Sequence, residues 1–289
     1  MNTQGEIKIM VRGAYDLQKL RIQMGNRIVA NFKGKLGQAP GQTEAALERE
    51  AKKMLADLRS RYRRLVDGLV RAPSRRNFNG DEVISSFTEL CLVEQYVALE
   101  AREAAHFRRL GAILEEVPIY TAFLRGVKGV GPAMAGVMVS EIDIAKARTP
   151  SSLWAYAGLD VGPDGAGRSK RREHLVKIKY TDKDGAERER DGITFNPFLK
   201  TKLVGVLAAS FLRSKSPYRD IYDGYKHRLE SRADFADHAK GAKGHRHNAA
   251  LRYMIKMFLI DLYRAWRELE GLPVAKPYHE AKLGIRHAA

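Results

Sequence analysis

The feature that most constrains the fold is a spacing. Leu47, Ala51, Met54, Leu58, Tyr62, Leu65 and Leu69 recur at intervals of three and four residues. Only a helix puts such residues on one line. A repeat near 3.5 makes that line a coiled-coil-like seam that must be covered. Thr43 is a suitable N-cap for this helix, which the pattern carries to about Val70. The segment APSRRNFNGD then breaks it. A second long helix is predicted from Asn79 or Asp81 to near Pro118, with Val83, Phe87, Leu90, Val97, Phe107, Leu110 and Leu114 as its stripe. Two long helices across a polar turn predict an antiparallel helical hairpin over residues 42–118. Its surplus apolar stripe predicts a homodimer formed through the same residues. The segment before it, residues 1–41, holds a helical run (AYDLQKLRIQMGNRIVANF) and a loop with Gly34, Gly37, Pro40 and Gly41.

From Tyr120 the texture changes, and residues 119–289 read as a separate domain. LRGVKGVGPAMAGVMVSEI has the form of a helix-hairpin-helix turn. Gly129 and Gly131 permit a tight turn, and Pro132 suits a first helical position. Backbone N–H groups there can face a phosphate, with Lys128 adding charge. The alternative is a helix–helix turn packed in the core. Thr149-Pro150-Ser151-Ser152 then starts a helix, LWAYAGL, with the serines as caps. A Gly-rich loop follows and discharges into Arg168, Ser169, Lys170, Arg171, Arg172 and His174. Val176, Ile178 and Tyr180 alternate with basic residues such as Lys177, and Asp184-Gly185 is a turn signal. Together they predict a β-hairpin with a basic face. Three helices complete the chain. One opens at Asn196-Pro197 and carries Lys200 and Lys202. The next, PYRDIYDGYKHRLESRAD, is aromatic and charged. The last is NAALRYMIKMFLIDLYRAWREL. The fold class is therefore mainly α, with one β-hairpin.

The net charge of +17, at a sequence pI of about 9.9, is the strongest bulk signal. The excess collects after about residue 120, which predicts a polyanion, above all nucleic acid, as partner. The single cysteine, Cys91, excludes an internal disulfide and a cysteine zinc site, and it reads as a core residue. No apolar run reaches the ~18 residues of a membrane span, and the polar start MNTQGEIK does not read as a signal peptide. A reducing cytoplasm is the expected compartment.

Catalytic patterns are scarce. Two-metal phosphodiester chemistry needs several converging carboxylates. Asp16, Glu44, Glu48, Glu50 and Asp57 instead alternate with basic residues on helices. His238, His245 and His247 with Asp237 have zinc-like spacing, but Lys240, Lys243 and Arg246 repel a dication. A phosphate-contacting stretch leading into the last helix, with Arg252 at its start, fits better. None of Ser151, Ser152, Ser169 and Ser210 has an obvious His–Asp partner nearby in sequence. Tyr218, Tyr222 and Tyr225 lie among Arg219, Lys226 and Arg228, as core residues or as stacking platforms for bases.

GVKGVGPAMAGVMVSEI, ARTPSSLWAYAGL, GAGRSKRR and HNAALRYMIKMFLIDLYRAW follow in order. This set resembles the C-terminal transposase domain of bridge-RNA-guided insertion-sequence recombinases. It is also similar to the related Nop-like domain of Tas proteins, which work with tandem interspaced guide RNAs. The likeness covers roughly residues 120–270, and the preceding hairpin resembles the coiled-coil part of Tas and Nop proteins. Two departures matter. The chain has no counterpart of the recombinases' acidic N-terminal domain. In addition, Gly165-Ala166-Gly167 stands where the recombinases carry a Ser-Ser-Gly loop, so Ala166 replaces the nucleophile; a slip of three residues would bring Ser169 there.

The resemblance thus implies a nuclease-free Tas-like protein, encoded by a prokaryotic cell or a virus. Its expected partners are the guide RNA of a tandem repeat array and a target DNA, with no metal or other cofactor. Base pairing would read sequence, and the protein would grip backbones. Two other functions remain: a serine-dependent DNA recombinase using Ser169, and a guide-free, structure-specific DNA binder.

Overall fold

The computed structural model describes residues 3–35, 44–162, 164–232 and 242–277. Helices dominate, and the described strands form one two-stranded sheet. Among the described residues no helix is long and apolar enough to cross a membrane. The chain divides into two compact units, residues 9–109 and residues 1–8 with 110–289.

The first unit is built on α1 (Thr3–Phe32), α2 (Glu44–Val66) and α3 (Phe87–Leu114). The predicted seam is real: Met54 and Leu58 are buried, and Tyr62 and Leu65 are partly buried against the same cluster. Ile28 and Phe32 of α1 join that cluster with Leu90, Val93 and Tyr96 of α3, so α1 is a third packing partner. A half-buried ion pair ties the same helices. Arg21 donates to Glu103, which also accepts from Gln18 at 3.0 Å. Cys91 is half-buried on α3.

Both helix ends next to the break differ from the pattern, for local reasons. α2 stops at Val66 because Gly68 adopts φ +81°, and Leu69 and Val70 are left exposed. Asp81 does not open α3. Its carboxylate accepts from Val83 N at 2.8 Å and Ile84 N at 2.6 Å, folding a turn that buries both side chains. α3 begins six residues later with a capping box. Ser86 Oγ accepts from Glu89 N at 3.2 Å, and Glu89 Oε2 accepts from Ser86 N at 3.1 Å. Thr43 lies outside the described residues.

In the second unit α4 (Pro118–Ala122) and a 3-10 turn lead to α5 (Pro132–Glu141). α5 is buried on every side from Met134 to Glu141. It therefore has no polar stripe. Its C-terminal carbonyls need partners, and Gln4 Nε2 donates to Val139 O at 3.2 Å and Ile142 O at 3.0 Å. α6 (Pro150–Tyr156) starts from Thr149. Thr149 Oγ1 accepts from Ser152 N, and the Ser152 hydroxyl accepts from Thr149 N, both at 3.1 Å. The cap is thus Thr149 with Ser152 as its box partner.

Strands β1 (Val176–Thr181) and β2 (Glu187–Gly192) pair antiparallel, with Val176 opposite Gly192 and Thr181 opposite Glu187. Gly185 at φ +80° makes the turn. Most of the hairpin's residues are exposed, and opposite charges face each other across it. Lys177 Nζ meets Asp191 at 2.8 Å.

α7 (Pro197–Thr201), a π-helical stretch (Lys202–Leu207) and α8 (Ala208–Ser214) run on from one another. α9 (Tyr218–Glu230) and the long α10 (Ala242–Leu269) follow. Met254, Ile255, Phe258, Leu259, Leu262 and Tyr263 of α10 fill the core. The Phe211 ring stacks on Tyr218 and meets Phe258 edge-on.

Candidate nucleic-acid interface

The loop between α6 and β1 is fastened at its entry. There Gly158 has φ +65°, and a Cβ on it would stand 2.6 Å from the Phe195 ring. Asn196, beyond β2, fastens the same point. Its N–H donates to Tyr156 O at 2.8 Å, and its Nδ2 donates to the buried Glu141 at 2.6 Å. Past this point the chain doubles back. Arg168 N donates to Asp160 O at 3.0 Å and Gly162 N to Ala166 O at 2.7 Å, with a β-bridge between Val161 and Gly167.

Side chains lock this turn. Arg168 donates twice to Asp160 Oδ2, from Nη2 at 2.7 Å and Nε at 3.1 Å. Lys200 of α7 reaches in to donate to Arg168 O, its ammonium resting 4.8 Å from the Phe195 ring centre. Arg168 and Lys200 therefore hold the loop from inside. Lys170 and Arg172 are exposed, and Arg171 is exposed with an ion pair to Asp164 Oδ2 at 3.0 Å.

Ser169, His174 and Asp164 form a line that sequence reading did not anticipate. Ser169 Oγ lies 3.1 Å from His174 Nδ1, and His174 Nε2 lies 2.9 Å from Asp164 Oδ1. The imidazole is fully buried. Gly162 makes room for it, since a Cβ there would lie 2.6 Å from Nε2. Hydrogen-bond valence assigns the roles. Ser169 N–H donates to Nδ1 at 2.9 Å. A backbone N–H can only donate, so Nδ1 carries the lone pair and Nε2–H donates to Asp164. That lone pair is already engaged. Ser169 Oγ itself accepts from Arg171 Nε at 3.1 Å and Arg171 N at 3.3 Å. The hydroxyl sits as an acceptor within a staple, without a base free to take its proton. The Asp164 carboxyl is held below the usual range by the His174 hydrogen bond, then by Ala166 N–H.

This loop forms one wall of an open groove of about 840 Å³. Tyr225 of α9, Arg232 just beyond that helix, and His245, Arg252, Tyr253 and Lys256 of α10 also line it. Among the described residues Arg252 and Lys256 have no carboxylate partner within ion-pair distance. Burial, with Arg252 nearby, lowers the pKa of both Lys200 and Lys256; Asp160 partly offsets this. Charging these ammonium groups is thus made costlier, chiefly by burial.

The expected contacts separate accordingly. Arg171, Ser169, His245 and Arg252 line the groove; His174 and Arg168 sit behind its wall. Arg246 is buried, and His247 Nδ1 is 2.6 Å from the Tyr222 hydroxyl. Lys243 is exposed on α10, and Lys202 lies over the Phe198 ring. Lys240, Asp237 and His238 lie outside the described residues. α10 begins at Ala242, so Arg252 stands nearly three turns inside it, beyond the reach of the helix dipole. Lys128 is exposed on the Gly-rich turn, away from the groove lining. Gly129 at φ +100° packs on α8: a Cβ would meet Ser214 Oγ at 2.8 Å and Phe211 at 2.9 Å. Its carbonyl accepts from Ser210 Oγ at 2.7 Å, while Gly131 is exposed. Sequence reading missed Arg232, Tyr253 and Lys256. For Tyr253 and Lys256 the signal was present, because 245, 249, 252, 253 and 256 fall on one helical face.

Among the described residues no group of three or more histidine, cysteine or acidic side chains is placed to hold a metal ion. No curated protein and no solved structure matches the chain. Residues 121–180, from α4 through the Gly-rich turn, α5, α6 and the stapled loop into β1, match the family described as Transposase IS116/IS110/IS902, and this segment is related to that family's transposase domain.

Proposed function

We propose that the chain is a guide-RNA-binding protein that forms an RNA-guided, DNA-targeting ribonucleoprotein without a nuclease of its own. The observation that carries this reading is the pair Arg252 and Lys256 on one face of α10. Among the described residues they stand without carboxylate partners, on a groove that Arg171 and Arg232 also line. Two carboxylates, Asp160 and Asp164, share the lining, but each is engaged by loop cations. A phosphate backbone supplies the missing counter-charge. The transposase-related segment builds the loop wall of that groove, and Ala166 offers no nucleophile there. Dimerisation through residues 42–118 belongs to the same proposal. The test is to purify the protein from its source and sequence the RNA it carries. Discrete short RNAs from one tandem array support the reading; random fragments reject the guide.

The line Ser169–His174–Asp164 favours a second reading, a serine-dependent DNA strand transferase. Ser169 Oγ would attack a phosphorus, its proton passing to His174 Nδ1, and the proton would then go to the departing sugar oxygen as the P–O bond breaks. Against it stands the Ser169 N–H, which already fills the Nδ1 lone pair. Suicide DNA substrates decide the matter: a covalent adduct lost in Ser169→Ala establishes the strand transferase. A guide-free duplex binder predicts tight duplex binding with no discrete co-purifying RNA.

A further inference from the structure

We propose that the groove takes an unpaired nucleotide, with its base on the Tyr225–Tyr253 pair and its phosphate on Arg252 and Lys256. This rests on the RNA-binding reading above and names the form of RNA. The three tyrosines of α9 have different fates. Tyr218 is stacked in the core, and its hydroxyl donates to Asp261 at 2.7 Å. Tyr222 is buried and bonded to His247. Tyr225 alone of the three borders the groove, parallel to Tyr253 of α10 with ring centres 4.1 Å apart and planes within 13°. Both rings are half-buried. The Arg228 guanidinium lies 5.1 Å from one ring centre and 5.6 Å from the other, a cationic neighbour to a π surface.

Between Asp164 and Ser169 the groove-lining part of the loop is Gly165, Ala166 and Gly167, whose side chains are no larger than a methyl group. A Cβ at Gly165 would meet no atom within 4 Å. The groove thus carries four Arg and Lys side chains, and it is bordered by a stacked aromatic pair and by a short run of very small residues. A base inside a duplex has both faces covered by its neighbours. Only an unpaired base can lay a face on a tyrosine while its own phosphate meets the cations beside it. A duplex would use the cations and leave the rings idle.

The experiment compares one short RNA strand of mixed sequence, carrying 2-aminopurine, with the same strand annealed to its complement. The expected result is tighter binding of the single strand and a change in 2-aminopurine emission on binding. Tyr253→Leu should weaken single-strand binding by about fivefold or more, the lower end of one base–aromatic stack. It should leave duplex binding and the salt slope unchanged. Tyr253→Trp keeps a stacking face and should retain single-strand affinity, so a fold defect in the leucine variant is recognised by its melting curve and by this rescue. Equal affinity for strand and duplex, or no effect of either Tyr253→Leu or Tyr225→Leu in folded protein, overturns the inference and leaves RNA binding standing. No binding of either form overturns the RNA-binding reading itself.

Discussion

The guanidinium of Arg252 rests against the backbone of Gly167: a Cβ at position 167 would lie 2.2 Å from Nη1. The obstructed group is the end of a flexible side chain, so Gly167→Ala displaces it at little cost to the fold. The expected stability change is within about 0.5–1 kcal/mol. RNA affinity should fall as in Arg252→Ala, with the salt slope reduced by about 0.7–0.9 for one lost phosphate contact. The two substitutions act through one group, so the double variant should be no weaker than Arg252→Ala alone. Additive losses in a salt titration would show that Gly167 does not position Arg252.

Three basic residues of the loop, Arg168, Lys170 and Arg172, should separate into two behaviours. Lys170→Ala and Arg172→Ala should each flatten the salt dependence with melting temperature unchanged. Arg168→Ala leaves the Asp160 carboxylate without the guanidinium that covers it, at a site where both side chains are at most a quarter exposed. It should lower stability by about 1–2 kcal/mol. Denaturant unfolding beside RNA titration checks this. An Arg168→Ala protein of native stability with weakened binding would make Arg168 a grip and not a brace.

The loop staple has a pH dependence with a definite sign. Asp164 has a folded pKa depressed first by the His174 hydrogen bond and then by Ala166 N–H. A depressed carboxyl contributes stability that is complete above its unfolded value, about 3.9, and is lost as pH falls through the lower folded value. Between pH 5 and 8 Asp164 therefore contributes no slope. Below about pH 4 the wild-type protein should lose more melting temperature than Asp164→Asn. Parallel curves for the two proteins across that range would contradict the assignment.

Much of this fold was legible because apolar spacing survives translation into packing. The Met54 and Leu58 seam and the buried face of α10 follow from period, and the hairpin turn at Gly185 from its Asp-Gly pair; the basic face expected of that hairpin is instead charge-paired across the strands. The start of α3 did not, because Asp81 caps a turn with the same chemistry that would cap a helix; the Ser86–Glu89 box was the better signal. The staple was hidden for another reason. Ser169 and His174 are five residues apart, and only the fold-back fixed by Gly162 and Arg168 sets Asp164 against the imidazole. Arg168 and Lys200 carried the same positive charge in sequence as Lys170 and Arg172. Burial alone distinguishes brace from grip.

The Gly-rich turn before α5 separates packing from phosphate binding by the same logic. Gly129 holds φ +100°, and its α-carbon packs against Phe211 and Ser214 of α8. Gly129→Ala adds a strained backbone and an overlap with a buried ring, and it should cost about 1–3 kcal/mol. Lys128 is exposed and should be silent in stability. If the turn also faces a phosphate, Lys128→Ala lowers the salt slope for duplex DNA by about 0.9; if it is only a packed turn, the slope does not move. Circular dichroism melting of Gly129→Ala and salt-dependent DNA binding of Lys128→Ala read the two roles independently. A native melting curve for Gly129→Ala would contradict the packing described for α8.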